Sequence, residues 1–67
     1  MTNGLLLKNR RLELGLTQDD LAKKAGVSRS TIVRMERGDD ASFIGPVRRA
    51  LADALELDAE AFSGDDQ

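Results

Sequence analysis

The fold is decided by the stretch from Gly15 to Gly38, which reads GLTQDDLAKKAGVSRSTIVRMERG. Within it, Thr17 and Asp20 have the spacing of a capping box, in which a hydroxyl and a carboxylate three residues later close the start of a helix. Leu21 and Ala25 then supply a buried stripe that ends at Gly26. We therefore predict a short helix that is bounded by Thr17 and Gly26.

A second helix follows almost at once. Ser28 is a good N-cap, Ile32 and Met35 form an i,i+3 pair that faces a core, and Gly38 ends the helix. Only the residues Ala25-Gly26-Val27-Ser28 separate the two helices, and a glycine turn of this length is typical of a helix-turn-helix. The turn alone is a weak signal, because any small helical bundle can contain one.

The flanking residues also predict helices. Leu7, Arg11 and Leu14 share one face of a first helix over residues 4–14, which Gly15 ends in a left-handed turn. Pro46 fits only the first turn of a fourth helix, predicted over Val47 to Leu55. Asp58 is expected to cap a short fifth helix over 59–62, and residues 63–67 are expected to fray. The predicted class is all-α with five helices.

Length and composition restrict the function. The 67 residues suit one small soluble domain, with a helix-turn-helix unit at 17–37 and a supporting, dimerising part at 39–62. The chain has no Cys, His or Tyr, so we expect no disulfide, metal, cofactor or enzymatic activity. The longest early apolar run is Leu5 to Leu7, which predicts no membrane span and no targeting segment, and thus a cytoplasmic protein.

Charge is divided unevenly along the chain. Residues 1–38 carry eight basic and four acidic side chains, for a net charge of +4, whereas residues 39–67 carry two basic and eight acidic ones, for −6. The overall charge of −2 therefore hides a basic half that would attract a polyanion and an acidic half that would repel it.

These residues together resemble the Cro/C1-type (XRE-like) helix-turn-helix family of phage repressors and bacterial regulators. The matching motifs are Gly15-Leu16-Thr17-Gln18, Leu21-Ala22, Gly26-Val27-Ser28, Ile32 and Met35-Glu36-Arg37-Gly38, and the resemblance runs from about Leu7 to Phe62. It implies a five-helix, lambda-repressor-like domain whose third helix enters the DNA major groove while the second lies across the backbone.

The resemblance also implies roles for particular side chains. Base contacts fall on Arg29, Ser30, Arg34 and Thr31, phosphate contacts on Gln18, Arg37 and Arg10, and a structural ion pair on Arg11 and Glu36. The predicted DNA contacts have simpler alternatives. Arg29, Ser30 and Arg34 form a solvated face, Thr31 completes the cap, and Gln18 is a polar residue in the first turn of the second helix. Arg37 interacts with the helix C-terminal dipole, and Arg10 acts at long range or is solvated. Val33 is left open between a thymine methyl, the sugar backbone and no contact.

We therefore expect a bacterial or phage regulator, most simply a repressor, that binds an inverted repeat of double-stranded DNA as a nucleoid-associated homodimer. Phe43, Ile44, Val47 and Phe62 are candidates for the dimer surface. An antitoxin or restriction-modification controller with a protein partner is an alternative on the same fold. A protein-interaction module that no longer reads DNA is the rival class, motivated by the half with net charge −6 and by the sequence pI near 4.9. Asp39-Asp40 lie where related loops are often basic, so this loop either points away from DNA or weakens binding.

Overall fold

The computed structural model describes residues 2–39 and 44–62, and these residues form four α-helices and a short 3₁₀ helix. In chain order the elements are α1 (Asn3–Glu13), α2 (Gln18–Ala25), α3 (Arg29–Glu36), α4 (Gly45–Ala54) and the 3₁₀ helix (Ala59–Ala61). The described ranges contain no strand, which confirms the all-α class. Pro46 lies in the first turn of α4, as predicted, and the helix begins at Gly45, two residues before the predicted start at Val47.

Hydroxyl side chains start the first three helices. Thr2, Thr17 and Ser28 each accept a hydrogen bond from the N–H three residues further along, at 3.0–3.2 Å. At Thr17 the capping box is complete, since the Asp20 carboxylate accepts from the Thr17 N–H at 3.1 Å. That bond and the contact with the Thr17 hydroxyl lower the pKa of Asp20 below its ordinary value of 3.8. The predicted caps at Thr17 and Ser28 are confirmed.

All four α-helices end in the same way. One residue adopts a positive φ, and the N–H of the next residue donates to a carbonyl five positions back, at 2.8–3.1 Å. The residue with positive φ is Gly15, Gly26, Gly38 or Glu56. Gly26, at φ 75°, makes the turn between α2 and α3 and so sets the direction in which α3 leaves. Glu56 holds φ 60° without being glycine.

The four helices enclose one apolar core. Its buried members are Leu7, Leu21, Ala22, Ile32, Met35, Leu51, Ala52, Ala54, Leu55 and Phe62. Helix α3 packs against α1 and α2, α2 also packs against α4, and the 3₁₀ helix packs against α4. Because α1 and α2 cover only the inner side of α3, its outer side is left open to solvent.

The contact between α1 and α3 is close. Gly4 in the first turn of α1 is buried, and a Cβ atom at this position would collide with the main-chain carbonyl of Met35. The absence of a side chain at Gly4 thus allows the start of α1 to reach the last turn of α3.

Two expectations about the last part of the chain need correction. The fifth helix is a single 3₁₀ turn, closed by the Ala61 N–H to the Asp58 carbonyl at 2.9 Å, because three residues are too few for successive α-helical bonds. Phe62 is only 1% exposed and belongs to the core, so it is not available for a dimer surface. Phe43 and the predicted fraying tail at 63–67 lie outside the described residues.

Candidate nucleic-acid interface

The outer side of α3 carries the most concentrated group of predicted contacts. Ile32 and Met35 are the buried residues of α3 and face the core, while the other side chains of α3 and the following turn are half-buried or exposed. Five of these side chains line one shallow depression: Arg29, Ser30, Val33, Arg34 and Arg37. The structure therefore brings together three of the predicted base contacts and one predicted phosphate contact on a single surface, which we call the α3 face.

The three arginines of the α3 face have no carboxylate partner among the described residues. Arg29, Arg34 and Arg37 are all exposed. By contrast, Arg10 and Arg11 on α1 both form ion pairs with glutamates. Three unneutralised guanidinium groups around one depression create a local positive potential suited to a polyanion.

Three hydroxyls gather at the start of α3. Ser28 Oγ lies 2.8 Å from Thr31 Oγ1 and 3.2 Å from Ser30 Oγ, while also accepting from the Thr31 N–H. Ser30 is exposed, whereas Thr31 is half-buried. Thr31 thus takes part in the cap of α3, and its base contact stays a prediction, while Ser30 is the more exposed hydroxyl.

A buried ion pair holds α3 to α1. Arg11 Nε lies 2.7 Å from Glu36 Oε2 and Arg11 Nη2 lies 3.2 Å from Glu36 Oε1, a bidentate geometry. Their side chains are only 9% and 6% exposed. Arg11 Nη1 also donates to the Leu16 carbonyl at 2.7 Å, so one guanidinium ties α1, the loop before α2 and the end of α3 together.

Gln18 lies at the first residue of α2 and joins this network. Its Nε2 donates to Glu36 Oε1 at 3.1 Å, so Glu36 accepts from both Arg11 and Gln18. An amide nitrogen has two hydrogens, and this bond uses one of them. Glu36 therefore fixes the orientation of the Gln18 amide and leaves its second N–H for another acceptor.

Arg10 lies apart from the other predicted phosphate contacts. Its Nε donates to the Leu55 carbonyl at the end of α4 at 2.9 Å, and its Nη1 lies 3.1 Å from Glu13 Oε1. The guanidinium thus satisfies a carbonyl at a helix C-terminus and links α1 to α4. The phosphate contact of Arg10 stays a prediction, and in this structure its guanidinium links α1 to α4.

Val33 and Gly4 are the residues that the sequence analysis left without a role. Val33 lies one helical turn from both Arg29 and Arg37, and this spacing alone places it on the α3 face. Gly4 has no comparable signal, because its close contact is with a residue 31 positions away in the sequence.

A second depression lies between α4 and the 3₁₀ helix. It is lined by Gly45, Pro46, Arg48, Arg49, Ala50, Asp53, Glu60 and Phe62. Its lining includes two basic and two acidic side chains, in contrast to the basic α3 face. Within residues 2–39 and 44–62, no group of acidic side chains is arranged to hold a metal ion, and no helix has the length and apolarity to cross a membrane.

Comparison with known proteins gives a family match and two relatives. A family model described as Helix-turn-helix matches residues 7–43. An uncharacterized HTH-type transcriptional regulator of Methanothermobacter thermautotrophicus is 52% identical over 33 residues, which are 49% of this chain and 48% of the relative. A second, from Methanocaldococcus jannaschii, is 59% identical over 32 residues, which are 48% of each chain. The matches thus cover about half the length of these curated relatives, and no solved structure matches the chain.

Proposed function

The chain belongs to the Helix-turn-helix family, and from this membership we propose that it is a sequence-specific DNA-binding transcriptional regulator, not an enzyme. Helix α3 is the reading element, and the α3 face lies in the major groove of double-stranded DNA. The observation that carries this proposal is the cluster of three arginines around one depression on the open side of α3, none of which has a carboxylate partner within residues 2–39 and 44–62.

Base reading falls to the first and middle turns of α3. Arg29 and Arg34 each present a planar guanidinium that fits the O6 and N7 acceptors of a guanine. Ser30 offers an exposed hydroxyl between them, and such a hydroxyl pairs with several bases. Thr31, held in the cap by Ser28, is assigned a supporting role at the start of the helix.

Phosphate binding falls to the edges of the α3 face. Gln18 uses its second amide hydrogen, and Arg37, in the turn after α3, uses its guanidinium. The Arg11–Glu36 pair acts indirectly, because it fixes the tilt of α3 and the direction of the Gln18 amide. A phosphate bound by Gln18 would thus meet an amide whose orientation is already set by its bond to Glu36.

A homodimer on an inverted repeat accounts for selectivity. One α3 helix contacts too few base pairs to select a site in a genome, and two copies about 34 Å apart read two half-sites. The surface around α4 is the candidate interface, because it carries Ile44 at 58% exposure beside the depression of mixed charge. Arg49 on one copy faces Asp53 or Glu60 on the other in a symmetric pairing of this kind.

Repression of a nearby promoter in the cytoplasm is the simplest biological outcome, because a dimer bound at an operator excludes other proteins from that DNA. An antitoxin or a restriction-modification controller would use the same α3 face and add a protein partner. The rival class is a protein-interaction module, for which the exposed acidic residues of the second half are the supporting feature.

Selection of binding sites from a random duplex pool tests the proposal. We expect enrichment of an inverted repeat that contains guanines, and a dissociation constant that rises steeply with salt as phosphate contacts are lost. Lys8→Ala is the control variant, because it removes an exposed basic residue of α1 that lies outside the α3 face. It should select the same repeat as the wild-type protein. A pool that remains random after several rounds favours the protein-interaction module.

A further inference from the structure

We propose that Val33 is a specificity residue that reads the 5-methyl group of a thymine next to the guanines bound by Arg29 and Arg34. This inference rests on the proposed function and adds a base to it. Val33 is the apolar member of the α3 face.

The burial of Val33 does not come from the core. The half-buried apolar side chains that pack against the core are Leu6, Leu14, Leu16, Ala25, Val27, Val47 and Leu57. Among the described residues, Val33 is half-buried but is not a member of this group. Val33 instead lines the depression together with Arg29, Ser30, Arg34 and Arg37, so it presents an apolar surface among four polar side chains.

Val33 lies between two arginines along one side of α3. Arg29, Val33 and Arg37 are four residues apart in succession, so they follow one another along the same side of α3. The arginines place charge on both sides of the valine, and Val33 offers no donor or acceptor of its own. A base recognised here is therefore recognised by shape and apolar contact.

Thymine matches this arrangement. In the major groove, the 5-methyl of thymine is the apolar group that a base edge presents, while guanine presents the acceptors that a guanidinium binds. Val33 lies one turn after Arg29 and directly before Arg34, the two proposed guanine contacts, so its position matches a half-site in which a thymine stands beside guanine. Contact with the sugar backbone is the competing use of Val33, and it would be the same on every sequence.

Replacement of each thymine of the selected half-site by deoxyuridine tests the inference, because the change removes the methyl and keeps the O4 acceptor. We expect one position at which wild-type protein binds about fourfold more weakly for each half-site substituted, the equivalent of one buried methyl group. Val33→Ala is expected to bind the thymine site more weakly and to show no further loss with deoxyuridine at that position.

Two controls keep the outcome clear. Leu12→Ala removes an exposed apolar side chain of α1, and it should keep the full response to deoxyuridine. Val33→Thr retains the branched shape and serves as the test variant if Val33→Ala is poorly folded. Its loss of affinity on replacement of thymine by deoxyuridine should be smaller than that of the wild-type protein.

The results separate this inference from the proposed function. Sequence-specific binding in which no thymine methyl matters overturns the role of Val33 and leaves DNA reading by α3 intact. So does a Val33→Ala variant that responds to deoxyuridine as wild type does, or that weakens equally on all sequences. Absence of any sequence preference overturns both.

Discussion

Arg34 and Arg37 lie less than one helical turn apart, yet we expect opposite effects from their removal. Arg34→Ala, like Arg29→Ala, should relax base preference at one position of each half-site and cost about 1–3 kcal/mol on the selected sequence. Arg37→Ala should weaken binding to all duplexes and leave the preferred site unchanged, because a phosphate contact carries no sequence information. Binding-site selection repeated with each variant measures the difference.

Gln18→Ala belongs with Arg37→Ala in this comparison. Its loss removes the proposed phosphate donor while leaving the Arg11–Glu36 ion pair in place. If Gln18→Ala or Arg37→Ala changes the preferred sequence, the phosphate assignment of that residue is wrong. If Arg29→Ala or Arg34→Ala weakens every duplex equally, that arginine binds the backbone.

The Arg11–Glu36 pair is expected to matter for stability. Glu36→Ala leaves the Arg11 guanidinium buried without its carboxylate, which should cost about 3–5 kcal/mol in free energy of unfolding. Replacing both residues by Met and Leu should recover only part of this loss, since the Leu16 carbonyl and the Gln18 amide then lack their present partners. Urea denaturation of the single and double variants measures both changes. A Glu36→Ala protein that unfolds at the parent's urea concentration would contradict this role.

At the scale of elements, the end of α4 departs from the other helices. Glu56 holds φ 60° in a position that glycine occupies at the ends of α1, α2 and α3. A left-handed conformation costs a side-chain-bearing residue about 1–2 kcal/mol, part of which the greater unfolded-state freedom of glycine offsets. Glu56→Gly should therefore raise the free energy of unfolding by about 0.5–1 kcal/mol and the melting temperature by several degrees.

Glu56→Ala is the matched control for that prediction. It removes the same side chain but keeps the unfavourable φ, so its melting temperature should not rise. Equal stabilisation by glycine and alanine would show that the glutamate side chain, and not the backbone conformation, is unfavourable.

The contact between α1 and α3 makes Gly4 sensitive to substitution. In an open helix Gly→Ala stabilises by about 0.5–1 kcal/mol, but at Gly4 the new Cβ would collide with the Met35 carbonyl. Gly4→Ala should therefore destabilise the protein by about 1–3 kcal/mol, as overpacking does elsewhere. Gly45→Ala is the control, because nothing lies within 4 Å of a Cβ there. Thermal melts in which Gly4→Ala is as stable as the parent would contradict the close packing.

These elements also show how far sequence reasoning reaches. Thr17, Asp20, Ser28 and Gly26 were correctly placed, because caps and turns depend on residues three or four positions apart. The bond of Arg10 to the Leu55 carbonyl joins residues 45 positions apart, and it exists only because α4 ends beside α1. The Gln18–Glu36 bond and the contact of Gly4 with Met35 also join residues that are far apart in the sequence. Local patterns therefore predict helices and their ends, while long-range contacts need the packed structure.

At the scale of the whole molecule, the distribution of charge agrees with the proposed binding of DNA by the α3 face. The α3 face belongs to the half of the chain with net charge +4, and the half with −6 places exposed Asp53, Glu56, Asp58 and Glu60 around α4 and the 3₁₀ helix. A DNA duplex would attract the first surface and repel the second, so the field favours approach with α3 toward the groove. The overall charge of −2 therefore does not conflict with a nucleic-acid partner.

The most direct test is the ratio of two dissociation constants, one for a shuffled duplex and one for the selected duplex, at physiological salt. If α3 reads bases, the ratio for the wild-type protein should be about 10³ or more. The ratio for the double variant Arg29→Ala/Arg34→Ala should be within about tenfold of one, because each lost guanine contact removes about 1–3 kcal/mol of discrimination. A wild-type ratio near one, or a double variant that keeps the wild-type ratio, would contradict DNA reading by the α3 face.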